Sequence, residues 1–155
     1  MLGKIAKKLR IFGFDTEYYP SIDDNTIIKK SHDENKIVLT MDKMLYKRCI
    51  KHKVICILLS SNNELDNLIC IMKENNISNI FYATNNFTRC AVCNGKLLRT
   101  NKSKIISITN TIPEKIIETI EIFYCCSDCQ KAYWDGTHIR EINKLIFEIN
   151  NNLSK

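Results

Sequence analysis

Apolar residues recur at helical spacing at both ends of the chain. Near the N-terminus the apolar face comprises Leu2, Ile5, Ala6, Leu9 and Phe12. Near the C-terminus it comprises Ile139, Ile142, Leu145, Ile146 and Ile149. Repeats of three and four residues place such side chains on one face of an amphipathic helix. We therefore predict a helix at each end, with the last one, residues 138–155, packing back on the N-terminal domain.

Short apolar runs alternate with helical patterns between residues 14 and 82. Residues 36–42 and 54–59 have unbroken apolar middles, which are typical of strands buried on both faces of a parallel sheet. We predict further strands over residues 14–19 and 77–82, with helices between the strands. Alternation of this kind implies right-handed crossovers and a small α/β sheet with flanking helices. The predicted fold class is therefore α/β, with a first domain over residues 1–84.

The pattern changes at about Asn85, where cysteine pairs replace the apolar alternation. Residues 85–137 contain a β-prone stretch at 104–112 and too little apolar material for a core of their own. We predict that this segment is a small zinc-ribbon module whose β-hairpins depend on a bound metal for their stability.

Four of the eight cysteines form two Cys-x-x-Cys pairs, Cys90 with Cys93 and Cys126 with Cys129. Two such pairs about thirty residues apart are typical of the two knuckles of a tetrahedral zinc site. Since protein sulfur would fill all four positions, the predicted role of the zinc is structural. Cys125 leaves the ligand choice open, although the two-residue spacing favours Cys126. A pair of redox motifs is the alternative, which is disfavoured because neither pair opens a helix after a strand.

Carboxylates lie where a parallel sheet would bring them to one edge. Asp42 ends a predicted strand and precedes a helix, which is where open α/β sheets bind their ligands. Asp23 and Asp24 begin the preceding helix. Clustered carboxylates suit Mg²⁺ or Mn²⁺, and such an ion can activate water for attack on a phosphate. The alternative, which the spacing leaves open, is that these residues cap helices.

The charge of the chain agrees with a polyanionic partner without requiring one. Its formal net charge is +6, from 23 Lys and Arg against 17 Asp and Glu, and a mild basic excess also occurs in proteins that bind no polyanion. Lys4, Lys7 and Lys8 lie on the polar face of the first predicted helix, as a solvated face or an RNA contact. We find no signal peptide and no membrane-spanning apolar run, and we predict a cytoplasmic protein without a membrane partner. The sequence does not indicate an oligomeric state.

Several motifs in order resemble one known family, over roughly residues 1–140. The segments that carry the resemblance are MLGKIAKKLR (1–10), GFDT (13–16), LTMD (39–42), CAVCNG (90–95) and, after the second cysteine pair, YWDGTH (133–138). Together they resemble the PIN-like RNases known as the Mut-seven C-terminal RNase domain. This family couples a PIN-like α/β domain to a C-terminal zinc ribbon.

The resemblance implies metal-dependent hydrolysis of RNA phosphodiester bonds. By match to the family pattern, Asp24 and Asp42 would be acidic ligands of Mg²⁺ or Mn²⁺, and Thr40 would orient the site. Asp15 also matches a family position, with no chemical role assigned to it. We expect RNA as the partner, contacted by Lys4, Lys7, Lys8 and Lys43.

One departure from the family concerns the beginning of the chain. Family members usually begin with a short strand that carries an aspartate before the Met-Leu-Gly segment, whereas this chain starts at Met1. Three explanations stay open: the start codon is misassigned, the chain is a fragment, or this copy has lost activity. Without the first strand and its aspartate, we expect a catalytic Mg²⁺ site to be weak. This expectation favours the alternative function, a non-catalytic RNA- or protein-binding module that the zinc ribbon stabilises.

Overall fold

A computed structural model describes residues 1–81, 88–109 and 112–154 of the protein. The chain divides into two units. The first comprises Met1–Ile5, Tyr18–Asn79 and Ile149–Lys155, and the second comprises Ala6–Glu17 and Ile80–Glu148. The elements in chain order are α1 (Leu2–Ile11), α2 (Asp24–Asp33), β1 (Val38–Thr40), α3 (Lys43–Lys51), β2 (Cys56–Leu58), α4 (Glu64–Glu74), β3 (Leu97–Asn101), α5 (Lys102–Ile108), α6 (Glu114–Thr119), β4 (Ile122–Cys126), β5 (Ala132–Trp134) and α7 (Thr137–Leu153).

The first unit contains a parallel pair of strands, β1 and β2, in which Val38 lies opposite Cys56. Helices α2, α3 and α4 each begin at a side-chain cap, supplied by Asp23, Asp42 and Asn63 respectively. Such caps satisfy backbone N–H groups that the first turn of a helix leaves without partners. The core cluster around the sheet contains Ile28, Val38, Leu45, Cys49 and Val54. The predicted small parallel sheet with helices is confirmed.

Two predicted strands are wrong for the residues that the structure describes. Residues 14–19 and 77–81 have no strand, and Tyr82, the last residue of the second prediction, lies outside the described part of the chain. The Ile77 N–H turns back to the Met72 carbonyl oxygen at 2.9 Å, following Asn76 at φ 55°. The apolar residue therefore closes the end of α4 instead of starting a new strand.

The second unit contains an antiparallel sheet of three strands in the order β3-β4-β5. Because neighbouring residues of a strand point to opposite faces, the sheet separates two groups of buried residues. One face carries Leu97 and Cys126, which cluster with Cys90 and Ile139. The other face carries Phe123, Cys125 and Trp134.

Helices α5 and α6 lie between β3 and β4 in the chain, where the sequence predicted β-hairpins. The β-prone stretch at 104–112 is helical up to Ile108, and residues 110–111 lie outside the described part. Asn101 caps α5 by accepting the Lys104 N–H at 3.0 Å. The helix buries Ile105 against Ile112 and Phe123, so this segment has an apolar cluster of its own, which the sequence analysis did not anticipate. Isoleucine is frequent in strands, but its position on a capped helix facing the sheet decided the outcome here.

Both terminal helices follow the predicted apolar faces. Ile5, Ala6 and Leu9 are buried on α1, and Ile139, Ile146 and Ile149 are buried on α7. Among the described residues, no helix combines the length and apolar character needed to cross a membrane. The predicted boundary between residues 84 and 85 lies outside the described residues, and the division into domains 1–84, 85–137 and 138–155 stays a prediction.

Candidate functional site

Four cysteine sulfurs in the second unit lie within 4.8 Å of one another, from Cys90, Cys93, Cys126 and Cys129. The Cys90 and Cys129 sulfurs are 3.6 Å apart, and those of Cys93 and Cys126 are 3.4 Å apart. Sulfurs about 2.3 Å from a tetrahedral zinc ion would be about 3.8 Å apart. The donor set therefore fits one structural Zn²⁺, and the predicted cluster is confirmed.

The two knuckles share one backbone pattern. The N–H groups of Cys90 and Cys126 each donate to the carbonyl five residues later, at 2.8 and 3.0 Å. Four residues after each of these cysteines, an N–H donates back to the cysteine carbonyl, at 2.9 and 3.1 Å. The residues at that fourth position, Asn94 and Gln130, have φ values of 70° and 58°. Each Cys-x-x-Cys segment is thus a closed turn that brings its two sulfurs to the same side.

Gly95 is required where the two knuckles approach each other. A Cβ atom at this position would lie 2.9 Å from the Cys126 sulfur and would also meet the Asp128 carboxylate. Glycine at this position lets the two knuckles approach closely, because its missing side chain leaves room for the Cys126 sulfur.

The structure resolves the choice between Cys125 and Cys126. The two residues are neighbours on β4, and the Cys126 sulfur joins the four-cysteine cluster. The Cys125 thiol donates instead to the Gln130 carbonyl at 3.6 Å, and Cys125 is buried on the opposite face of the sheet. Alternation along the strand therefore places only one of the pair at the cluster.

The Tyr133 hydroxyl lies 3.0 Å from the Cys90 sulfur. Burial of the sulfur opposes ionisation, but hydrogen bonds from this hydroxyl and from the backbone N–H groups of Cys93 and Val92 lower the pKa of the Cys90 thiol to about 7. Burial, followed by the hydrogen bond to Cys90, raises the pKa of Tyr133. The hydroxyl therefore stays protonated at neutral pH and can donate to a Cys90 thiolate. This role was not predicted from the sequence, where the only available signal was the position of Tyr133 four residues after the last cysteine.

Arg10 on α1 supports the backbone of the first knuckle. Although charged, Arg10 is only 7% exposed. Its guanidinium donates to the carbonyls of Ala91 and Val92 at 3.1 and 2.8 Å, and to that of Thr16 at 2.7 Å. The signal that could have revealed it was a cation four residues after the apolar Ala6, on the buried side of the helix.

Asp15 also binds the first knuckle, which gives this residue the role that its sequence match left unassigned. Its carboxylate accepts the Asn94 side-chain N–H at 2.7 Å and lies 3.4 Å from the Arg89 guanidinium. The Thr16 N–H donates to the Asn94 side-chain oxygen at 3.1 Å. Residues 15 and 16 therefore hold the residue whose positive φ completes the knuckle turn.

Thr40 and Asp42 form a connected pair at the carboxyl end of β1 in the first unit. The buried Thr40 hydroxyl accepts the Asp42 N–H at 3.0 Å. One Asp42 carboxylate oxygen, Oδ1, accepts the N–H groups of Met44 and Leu45 at 2.6 and 3.3 Å. Asp42 is exposed, and its Oδ2 has no hydrogen-bond partner among the described residues. Oδ1 therefore caps the helix, as in the capping alternative, while Oδ2 stays available to a ligand.

Asp24 is the first residue of α2 and forms an ion pair with Arg48 of α3, at 2.6 Å. The carboxylate therefore has a fixed cationic partner. Within the described residues, the four cysteines are the only group of three or more side chains placed to hold a metal ion. Mg²⁺ commonly takes one or two carboxylates from a protein when substrate phosphate supplies further ligands. The assignment of Asp24 and Asp42 as such a pair stays a prediction.

The predicted RNA-contacting lysines lie at the surface of their helices. Lys4 and Lys7 of α1 are exposed and Lys8 is half-buried, and Lys43 is the exposed first residue of α3. Their assignment to RNA, like the catalytic assignment of Asp24, Asp42 and Thr40, stays a prediction.

Comparison with known proteins gives one family. A family model described as the Mut7-C RNAse domain matches residues 1–146. No curated protein and no solved structure matches the chain.

Proposed function

The chain belongs to the Mut7-C RNase domain family, and from this premise we propose that it hydrolyses RNA phosphodiester bonds with Mg²⁺ or Mn²⁺. Family membership implies ribonuclease activity and an RNA substrate. The observation that supports the site is the Thr40–Asp42 pair at the carboxyl end of β1. Ligand sites of open α/β sheets lie at this edge.

The roles of the residues follow from their contacts. Asp42 would hold the divalent ion through Oδ2, because Oδ1 is engaged by the first turn of α3. Thr40 fixes the backbone of Asp42 through its hydroxyl and so positions the carboxylate. Asp24 supplies the second carboxylate, and Arg48 sets its orientation. When bound, a divalent ion activates water and stabilises negative charge on phosphate.

The four-cysteine site has a different role in this proposal. With four sulfur ligands from the protein, a zinc ion there has no open position for water, as in structural zinc sites. Held by these cysteines, the ion would join the two knuckles and so stabilise the β3–β5 sheet.

A non-catalytic RNA- or protein-binding module is the second candidate function. It is favoured by the contacts of the two carboxylates, since Asp24 pairs with Arg48 and Asp42 caps α3. Both residues thus have structural reasons to be present, an ion pair for Asp24 and a helix cap for Asp42.

An Asp42→Asn variant separates the two functions. Asparagine caps a helix about as well as aspartate, so the variant keeps α3 and removes only the negative charge. We expect RNA cleavage that requires Mn²⁺ or Mg²⁺ in the wild-type protein, and a loss of more than about 100-fold in Asp42→Asn, because a metal-ion site contributes several kcal/mol to catalysis. The matched control is Asp33→Asn, at an exposed aspartate near the end of α2, which should cleave like the wild type.

The possible results of this experiment distinguish the nuclease from the binding module. Divalent-dependent cleavage that Asp42→Asn abolishes and Asp33→Asn retains would support the nuclease. RNA binding without cleavage in a folded, zinc-loaded wild-type protein would support the binding module instead. Equal cleavage by Asp42→Asn and the wild type would refute the assignment of Asp42.

A further inference from the structure

The outer face of α3 carries three lysines and no acidic residue. Lys43, Lys47 and Lys51 follow one another at intervals of four residues, and all three are exposed. We propose that this face binds the phosphate backbone of single-stranded RNA, with Lys47 and Lys51 extending the contact that begins at Lys43. The inference rests on the proposed function and adds the path of the substrate to it.

The spacing places the three ammonium groups in one row. Residues four apart lie on the same side of a helix, and each step of four advances about 6 Å along the axis. The opposite side of α3 is the buried one, where Leu45 and Cys49 enter the core of the first unit. The row is therefore directed to solvent by the packing of the helix.

These lysines lack the ion pairs that other cations of the same unit make. Among the described residues, no carboxylate pairs with Lys43, Lys47 or Lys51. By contrast, Lys30 and Lys36 both pair with Glu34. The positive charge of the row is thus left for a partner, and lysine binds phosphate as a mobile point charge.

The N-terminal end of the row opposes the stability of the helix, whereas Lys51 lies in the last turn, where a cation is favourable. Lys43 occupies the first position of α3, at the positive end of the helix dipole, and the first turn contains no acidic residue. Like charges four residues apart destabilise a helix further. Residues that lower the stability of their own helix in this way are expected at functional sites.

The position of the row relates it to the candidate catalytic edge. Helix α3 begins directly after Asp42, its capping residue, so the row starts beside that carboxylate and runs away from it along the helix. An RNA strand lying on the lysines would reach the end of β1. An acidic protein segment could also pair with these lysines, but its binding would not require that the row begin beside Asp42.

The test measures how RNA binding depends on salt, in an Asp42→Asn background that does not cut the RNA. The variant is K47Q/K51Q, and the matched control is K29Q/K73Q, which removes the same charge from exposed positions on α2 and α4. Glutamine has a helix propensity close to that of lysine, so both variants should fold. The ligand is a labelled single-stranded RNA, titrated at salt concentrations from about 50 to 200 mM.

Each phosphate contact contributes about 0.7 to the slope of log affinity against log salt for a single strand. We expect K47Q/K51Q to reduce that slope by about 1.4, which makes the loss of affinity over this fourfold salt range about sevenfold smaller than for the parent protein. The control should keep the parent slope.

Three results would overturn the inference. The first is a salt slope that K47Q/K51Q leaves unchanged, or that the control changes equally, while the wild-type protein still cleaves RNA. The RNA-binding role of the lysine row would then be refuted, and the nuclease proposal would be unaffected. The second is displacement of the RNA by a polyglutamate peptide at equal charge concentration, which would point to an acidic protein partner. The third is no RNA binding by the parent protein at low salt, and the cleavage assay above would then decide separately whether the nuclease proposal also fails.

Discussion

Replacing Tyr133 with phenylalanine removes one hydroxyl group from the cysteine site and leaves the aromatic ring in place. The hydroxyl lies 3.0 Å from the Cys90 sulfur. Because a zinc-bound cysteine sulfur is a thiolate and can only accept, the hydroxyl would donate its proton to that sulfur. Without the hydroxyl, the thiolate of a zinc-bound Cys90 would lose a hydrogen-bond donor in a buried environment.

The size of the effect follows from this one contact. A hydrogen bond to a charged group contributes about 1.5–3 kcal/mol, and removal of an outer partner of a metal ligand typically costs about 10- to 100-fold in metal affinity. The two ranges agree, because each tenfold change corresponds to about 1.4 kcal/mol. We therefore expect Tyr133→Phe to weaken zinc binding by about 10- to 100-fold.

Competition with a chromogenic chelator measures this affinity directly. Tyr46→Phe is the matched control, since it removes a hydroxyl from α3 in the other unit, and it should bind zinc like the wild type. Substitution with Co²⁺ gives a second measurement, because the thiolate-to-metal absorption band should shift in Tyr133→Phe. Zinc affinity and absorption equal to those of the wild type would refute the role assigned to the hydroxyl.

Three further predictions test the supports of the two units. Gly95→Ala should destabilise the zinc-loaded protein by about 1–3 kcal/mol, the usual result of overpacking, because its Cβ would lie 2.9 Å from the Cys126 sulfur; a melting temperature equal to that of the wild type would contradict the close approach. Arg10→Ala should lower the free energy of unfolding in denaturant by at least about 3 kcal/mol, since three carbonyls lose a charged donor; a loss below about 1 kcal/mol would place Arg10 among ordinary surface cations. Asp24→Asn should cost less than about 1 kcal/mol, because the ion pair with Arg48 is partly exposed and such pairs contribute little; a larger loss in the same measurement would show that the pair is a main support of the first unit.

Local patterns were sufficient to predict the capped and amphipathic elements. The caps at Asp23 and Asp42 and the apolar faces of α1 and α7 were visible in the sequence, because each depends on residues within one or two turns. The cysteine cluster was also predictable, since a Cys-x-x-Cys turn brings its own two sulfurs together. The family resemblance was confirmed over residues 1–146.

Long-range contacts decided what the local patterns left open or predicted wrongly. Residues 104–108 became helical because an asparagine cap and the apolar face of β4 favoured a helix over the strand tendency of isoleucine. The segment after α1 formed no strand, because Gly13 turns the backbone at φ 95° and the Thr16 N–H bonds to the Asn94 side chain instead of a neighbouring strand.

The sequence by itself determined the parallel αβ pattern, the candidate helix caps, and three of the four clustered cysteines, Cys90, Cys93 and Cys129. Only the tertiary structure decided that Cys126 and not Cys125 joins them, that the Tyr133 hydroxyl contacts the Cys90 sulfur, and that Asp15 supports a knuckle. The physical reason is the range of the interactions. Capping and helical periodicity act over a few neighbouring residues, whereas the partner of a buried polar group is set by residues distant in the chain that the fold brings within hydrogen-bonding distance.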